Sequence, residues 1–230
     1  MKIYVRAIIL TLFTIFITST ISAADSSSNR KDNIVSFGIK TGVGWPAITT
    51  PFFIAVPGVF EDWNFGLDYG SKTYTSDSTS SGIKSKGSFT IKDTGLFARY
   101  FYGNSFNSIF AINSMNSEMT VTSTNASTGG SAKGSLSTSA TRFTAGIGNH
   151  WTMDWGLEIG ADWLTGSALL SSSVSSSVSE SSGTIDTTDA KNSMEELGEL
   201  VNKLSAFPGI LIISIGLVFS NNNIQTSTIK

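Results

Sequence analysis

The sequence predicts an all-β chain, an eight-stranded antiparallel up-and-down transmembrane β-barrel with one short helix in the last extracellular loop. Three observations predict it. Apolar residues recur at every second position in eight segments, which is the strand period. The connections between those segments alternate between short turns and mostly longer loops, the pattern of bacterial barrels with tight periplasmic turns and larger surface loops. The charged residues inside the segments fall on the face opposite the apolar one.

Composition sets the bounds. Of 230 residues only 14% are charged, well below the roughly 25% of a soluble domain. The formal net charge is −2, so the chain has no basic footprint and no nucleic-acid partner is expected. With no cysteine and one histidine, disulfides, an acylated cysteine, thiolate metal sites and His-rich metal sites are excluded, and no cofactor is expected.

The chain divides into four parts: a signal peptide over 1–24, an N-terminal periplasmic segment over 25–33, the barrel over 34–219, and a polar tail over 220–230. Lys2 and Arg6 precede a largely apolar stretch from Ala7 to Ile17. That stretch is too short for the ~20 residues of a spanning helix. Ser22-Ala23-Ala24 supplies the small residues of an export cleavage site. The expected location is the bacterial outer membrane.

The strands follow in order. Ile34–Gly44 sets Val35, Phe37, Ile39 and Val43 against Ser36, Gly38, Lys40 and Gly42, and Phe52–Val56 is short and apolar on both faces. Trp63–Lys72 alternates Trp63, Phe65, Leu67 and Tyr69 with Asn64, Gly66, Asp68 and Gly70. Thr94–Tyr102 has Leu96, Ala98 and Tyr100 on one face, with Phe97, Arg99 and Phe101 on the other. Ile109–Met119 is ambiguous in register, and Arg142–Gly148 opposes Phe143, Ala145 and Ile147 to Arg142, Thr144 and two glycines. Trp155–Thr165 alternates Trp155, Leu157, Ile159, Ala161 and Trp163 with Gly156, Glu158, Gly160 and Asp162. Gly209–Phe219 ends the series on an aromatic residue.

Pro57–Asp62, Gly103–Asn107 and Asn149–Asp154 read as the short turns; Ser71–Ser88, Thr120–Thr138 and Gly166–Phe207 read as the long connections. The long ones are rich in Ser and Thr. They are either low-complexity loops or strand extensions, the second favoured for Thr120–Thr138 by Gly129-Gly130. A helix over 188–204 places Met194, Leu197, Leu200, Val201 and Leu204 on one face, and it caps the barrel mouth, lies along the membrane interface or packs on its own loop. Prolines 46, 51, 57 and 208 sit at strand ends or turns, where a missing N–H costs least. Trp45, Trp63, Trp151, Trp155 and Trp163 form the expected interface girdle, Trp63, Trp151 and Trp155 on the periplasmic side and Trp45 and Trp163 on the outer side. Trp155 to Trp163 spans about 20 Å of membrane normal, close to the apolar band of such barrels.

In hydrocarbon every backbone polar group must be bonded within the protein, so the repeated strands must close. The ionised face then points inward. Lys40, Asp68, Asp93, Arg99, Arg142, Glu158 and Asp162 form the expected lumen charge network, with both signs present to pair. An eight-stranded barrel is just wide enough to be filled by side chains, and inward glycines leave room for arginines. A soluble barrel with an apolar interior lacks the volume for the aromatic residues of these strands.

No catalytic residue is assigned. His150 sits in a short turn with Thr152 and Asp154 nearby and no serine beside it. Glu158 and Asp162 share a face at about 13 Å, too far apart for paired acid–base work.

The pattern of signal peptide, eight alternating strands, interior charges and a terminal aromatic strand resembles the small outer-membrane β-barrel family of outer membrane protein A, over Ile34–Phe219. The resemblance implies that Ser214, Gly216, Leu217 and Phe219 belong to the terminal-strand signal, with Gly216 and Phe219 as its core, read by the barrel-assembly machinery. Family members commonly stop at that aromatic, whereas here Ser220–Lys230 follows. The expected partners are outer-membrane lipids, the assembly machinery and a surface partner meeting the Ser/Thr-rich loops. The expected function is a non-enzymatic structural or surface-interaction barrel with a charge-filled lumen. A small-solute, porin-like channel and a lipid-modifying enzyme are the alternatives.

Overall fold

A computed structural model of the chain describes residues 26–43, 49–60, 62–80, 82–125, 127, 129–180 and 187–220. The expected signal peptide, Trp45, Pro46 and all of the polar tail after Ser220 lie outside these residues. A short helix α1 (Ser26–Lys31) precedes β1 (Asn33–Val43), β2 (Phe52–Phe60), β3 (Trp63–Ser80), β4 (Ile83–Phe101), β5 (Phe106–Asn125), β6 (Ser131–Thr152) and β7 (Leu157–Glu180). Helix α2 (Thr187–Ser205) then leads into β8 (Gly209–Ser220). The eight strands pair antiparallel in chain order, and β8 returns to β1 to close the barrel.

The three Ser/Thr-rich stretches are mainly strand. β3 and β4 stay in register from Trp63↔Tyr100 to Ser80↔Ile83, and β5 and β6 from Phe106↔Asn149 to Thr124↔Ser131. β7 continues to Glu180. Threonine and serine suit a solvated strand that neighbours already template, so pairing prevails over loop composition. Gly82 at φ +78° makes the tight turn between β3 and β4. The barrel is therefore uneven: β3–β7 run 18 to 24 residues, β1, β2 and β8 only 9 to 12.

Two expected turns are shorter than the sequence suggests. β2 runs through Pro57 to Phe60, because the missing N–H falls in a register shift between Val56 and Phe60. β6 runs on to Thr152, so Asn149–Thr152 is strand.

Polarity inverts along the height of the wall. On β3 the outward series reads Trp63, Phe65, Leu67 and Tyr69, then Ser71, Thr73, Thr75, Asp77 and Thr79. The inward series changes the other way. Ionised residues line the short part, whereas Ile91, Met115, Leu136 and Ala140 line the tall part. Because strand side chains alternate strictly, this inversion is a property of the sequence, read once the register is fixed. Its level, between Tyr69 and Ser71, divides a lipid-facing band from a solvated extension.

Helix α2 packs against the inner wall of that extension. A Cβ on its Gly198 would meet Val174, Leu136 and Thr138, all inward-facing, and Val201 packs on Ile91, Met115 and Ala140. The buried face is therefore Met194, Gly198, Val201, Asn202 and Ser205. Leu197, Leu200 and Leu204, expected on the packing face, stand exposed at 40–55%. Small residues let the helix axis approach the sheet, which the leucines would prevent.

Candidate functional site: the ion-paired lumen

The barrel interior is built from inward positions of all eight strands. Lys40, Asp68, Asp93, Arg99, Arg142, Glu158 and Asp162 are each at most 4% exposed. They meet in pairs. Lys40 Nζ donates to both carboxylate oxygens of Asp68, at 3.0 and 2.8 Å. Arg99 engages Asp162 with two parallel bonds of 2.6 and 3.1 Å and also donates to the side-chain oxygen of Asn107. Arg142 engages Asp93 through Nη2 at 2.9 and 3.1 Å and gives Nη1 to the Ser205 carbonyl at 2.9 Å. Removing charges from water is costly, and charge-assisted bonds of this quality are what offset the cost.

The seventh ionised residue, Glu158, takes a partner that the sequence did not assign. His150 Nε2 lies 2.7 Å from Glu158 Oε1, and both side chains are buried. His150 is inward because β6 keeps even parity from Arg142 through Thr144, Gly146 and Gly148 to His150. A longer reading of that strand would have found it.

Aromatic and small residues fill the rest. Phe53 and Phe97 point inward with Ala55, Ile109 and Ala111 as one cluster, and Lys40 Nζ sits 4.0 Å above the Phe97 ring. Glycine makes this possible. A Cβ on Gly66 would lie 2.4 Å from the Phe97 ring, and one on Gly148 would lie 2.9 Å from Asp162 Oδ1. Interior voids of about 10 Å³ beside His150 and about 20 Å³ beside Asp162 remain. Each has room for about one water molecule.

Both ends of the lumen are covered. At the short-turn end α1 docks beneath the strands: Asn29 donates to the Thr152 carbonyl at 3.1 Å, and Arg30 donates to the carbonyls of Gly103 (2.9 Å) and Asn104. The Arg30 guanidinium also stacks 3.7 Å over Phe101. Burial pushes its pKa down to about 10, with Asp62 and Glu158 opposing the shift, so it stays charged at neutral pH. At the tall end α2 closes over Arg142. Neither α1 nor its anchoring arginine was signalled by periodicity.

The expected girdle divides. Trp155 is 73% exposed, and Trp163 and Trp63 are outward, Trp63 in ring contact with Phe65 and Tyr100 at 5.8 and 5.0 Å. Trp163 does not mark the opposite rim, since its ring lies 6.3 Å from Phe106, the first residue of β5 after a short turn. A register shift at this level of β6–β7, where Ile147 pairs Leu164 and Gly148 pairs Asp162, turns both Trp163 and Leu164 outward. Trp151 departs further: it is only 4% exposed, although the β6 parity that turns His150 inward places Trp151 on the opposite face. Gly216 and Phe219 lie on the closing seam, where Gly38 pairs Gly216 and the Phe37 and Phe219 rings stack at 5.5 Å.

His150 also lies near Ser214. A Cβ on Gly160 would be 2.2 Å from Ser214 Oγ and 3.1 Å from His150 Nδ1. The void beside these groups, about 10 Å³, is too small for an acyl chain or a sugar. Among the described residues no group of three His, Asp or Glu could hold a metal ion.

A closed sheet with an apolar outer band and paired charges within is a transmembrane β-barrel: its backbone bonds are satisfied between strands and its ionised groups are kept from lipid. Among solved structures the chain is similar to CarO of Acinetobacter baumannii, at 11% identity and a TM-score of 0.44 over 83% of this chain and 99% of that one. It is also similar to CarO2 of the same organism, at 14% identity and a TM-score of 0.42 over 81% of this chain and 99% of that one. A major outer membrane protein from Thermus thermophilus aligns at 12% identity and a TM-score of 0.43, over 80% of this chain and 99% of that one. No protein-family model and no curated protein matches the chain.

Proposed function

We propose that the chain is an integral β-barrel of a bacterial outer membrane that serves as a non-conducting scaffold for surface contacts. The observation that carries this reading is the filled lumen. Three cation–carboxylate pairs and the His150–Glu158 contact occupy it, α1 lies under one end and α2 over the other. The short turns then face the periplasm and the tall β3–β7 wall faces outward, as the unequal lengths of barrel connections favour. The wall presents Ser- and Thr-rich strands to a surface partner. In this reading Gly216 and Phe219 form the terminal-strand signal for the assembly machinery, and no reaction is catalysed.

The test is conductance of the purified barrel in a planar bilayer, after heat-modifiable migration has shown that it is folded. The expected result is no stable unitary current. A reproducible open channel would replace the scaffold with the small-solute pathway.

A further inference from the structure

Above Tyr69 the outward face of the barrel changes character without a break in the sheet. From Ser71 on β3 and Lys92 on β4 across to Ser173 on β7, the outward positions are Ser, Thr, Asn, Lys, Asp or Glu. Hydroxyls pair across strands, with Thr73 to Thr90 at 3.0 Å, Ser139 to Ser173 at 2.8 Å and Ser135 to Ser177 at 2.7 Å. A shallow groove of about 260 Å³ between β5 and β7 includes Glu118, Ser137 and Ser175 in its lining and has room for a sugar ring.

Four lysines sit around that groove. The register puts Lys92 in the row below it, level with Asn116 and Ser139, and Lys86 and Lys133 in one row above it through Thr122; Lys84 follows on β4. Two outward acids, Asp77 and Glu118, offset them, and the Asp77–Lys86 contact is long, at 3.9 Å, and solvated. The face is thus net cationic on a chain whose formal net charge is −2. It adjoins the apolar band at the level where lipid headgroups meet the wall.

We infer that this face binds the phosphate-bearing saccharide headgroup of an anionic glycolipid in the surrounding leaflet. Lysines take the phosphates as point charges, and the rows of hydroxyls exchange hydrogen bonds with sugar hydroxyls. The lipid's chains lie along the band formed by Phe65, Leu67, Leu96 and Ile112, so one molecule is held at both ends. The inference rests on the outer-membrane placement proposed above.

The experiment titrates the full-length barrel in detergent with lipopolysaccharide, with the same glycolipid stripped of phosphate, and with phosphatidylethanolamine. Binding is read by native mass spectrometry. The intact glycolipid is expected to bind in preference to the other two, and salt is expected to weaken it. The fourfold variant K84Q/K86Q/K92Q/K133Q is expected to bind at least tenfold more weakly while keeping its heat-modifiable migration. Should it misfold, the salt dependence of the unmodified barrel decides. Equal binding of all three lipids, salt-insensitive binding, or an unchanged affinity in the folded variant would overturn the inference. Loss of heat-modifiable migration in the unmodified protein would instead strike the barrel placement itself.

Discussion

Arg142 on β6 and Asp93 on β4 pair over the intervening β5 inside the lumen, and the same guanidinium holds the last turn of α2 through the Ser205 carbonyl. One side chain thus closes a charge pair and fixes the helix that covers the tall end. Arginine suits the task because its planar fork bonds in two directions at once.

Replacing Asp93 by alanine should therefore be costly. It leaves a buried guanidinium without its carboxylate, and the expected loss is about 3–5 kcal/mol. The double change Asp93→Leu with Arg142→Met should cost less than Asp93→Ala alone. Urea midpoints of the folded fraction in lipid bilayers, read from gel mobility, give both numbers.

His150→Ala separates structure from chemistry. Removing the imidazole strips Glu158 of its nearest partner, and stability should fall by about 1–3 kcal/mol. The lipid composition of cells carrying the variant should match that of cells with the parent protein. An altered acyl pattern of lipid A would mean that the cluster of His150, Glu158 and Ser214 acts on lipid after all.

Gly198→Leu tests how α2 is seated. The added side chain has no space, since even a Cβ would lie 2.6 Å from Val174 and 2.9 Å from Leu136. The helix should leave the wall while the barrel stays folded. Limited proteolysis checks this: cleavage within Thr187–Ser205 should become rapid, with the heat-modifiable band retained. An unchanged cleavage rate would mean that the wall yields to the helix.

The tryptophans give a paired comparison. Trp151→Ala should cost about 3–5 kcal/mol, the range for a buried aromatic residue. Trp155→Ala should cost much less, because that ring is 73% exposed. Similar losses for the two would show that lipid contact at Trp155 contributes as much as packing at Trp151.

The strands of the membrane band were legible because one register explains both faces: Trp63, Phe65, Leu67 and Tyr69 need lipid, and Asn64 and Asp68 need partners. The identities of those partners were not legible. Arg99 meets Asp162 on a strand 63 residues away, and only closure brings them together. His150 was hidden because Asn149–Asp154 has the composition of a turn, although β6 uses it as strand. The Ser/Thr stretches were ambiguous for a related reason, since a solvated strand carries no apolar alternation to mark it. Helix α2 was visible as a helix, but its leucine stripe pointed to the wrong packing face. Close approach at Gly198 decided the matter, and no hydrophobic pattern reports that.

The unequal strand lengths give the molecule a compass direction in the plane of the membrane. Five long strands form a screen around part of the mouth, and the three short ones leave a low sill at β8, β1 and β2. Helix α2 leans on the β6–β7 part of the screen and keeps Leu197, Leu200 and Leu204 exposed. Rotating such a molecule about its axis changes what its neighbours meet, so lateral crowding alone can shield or uncover its mouth.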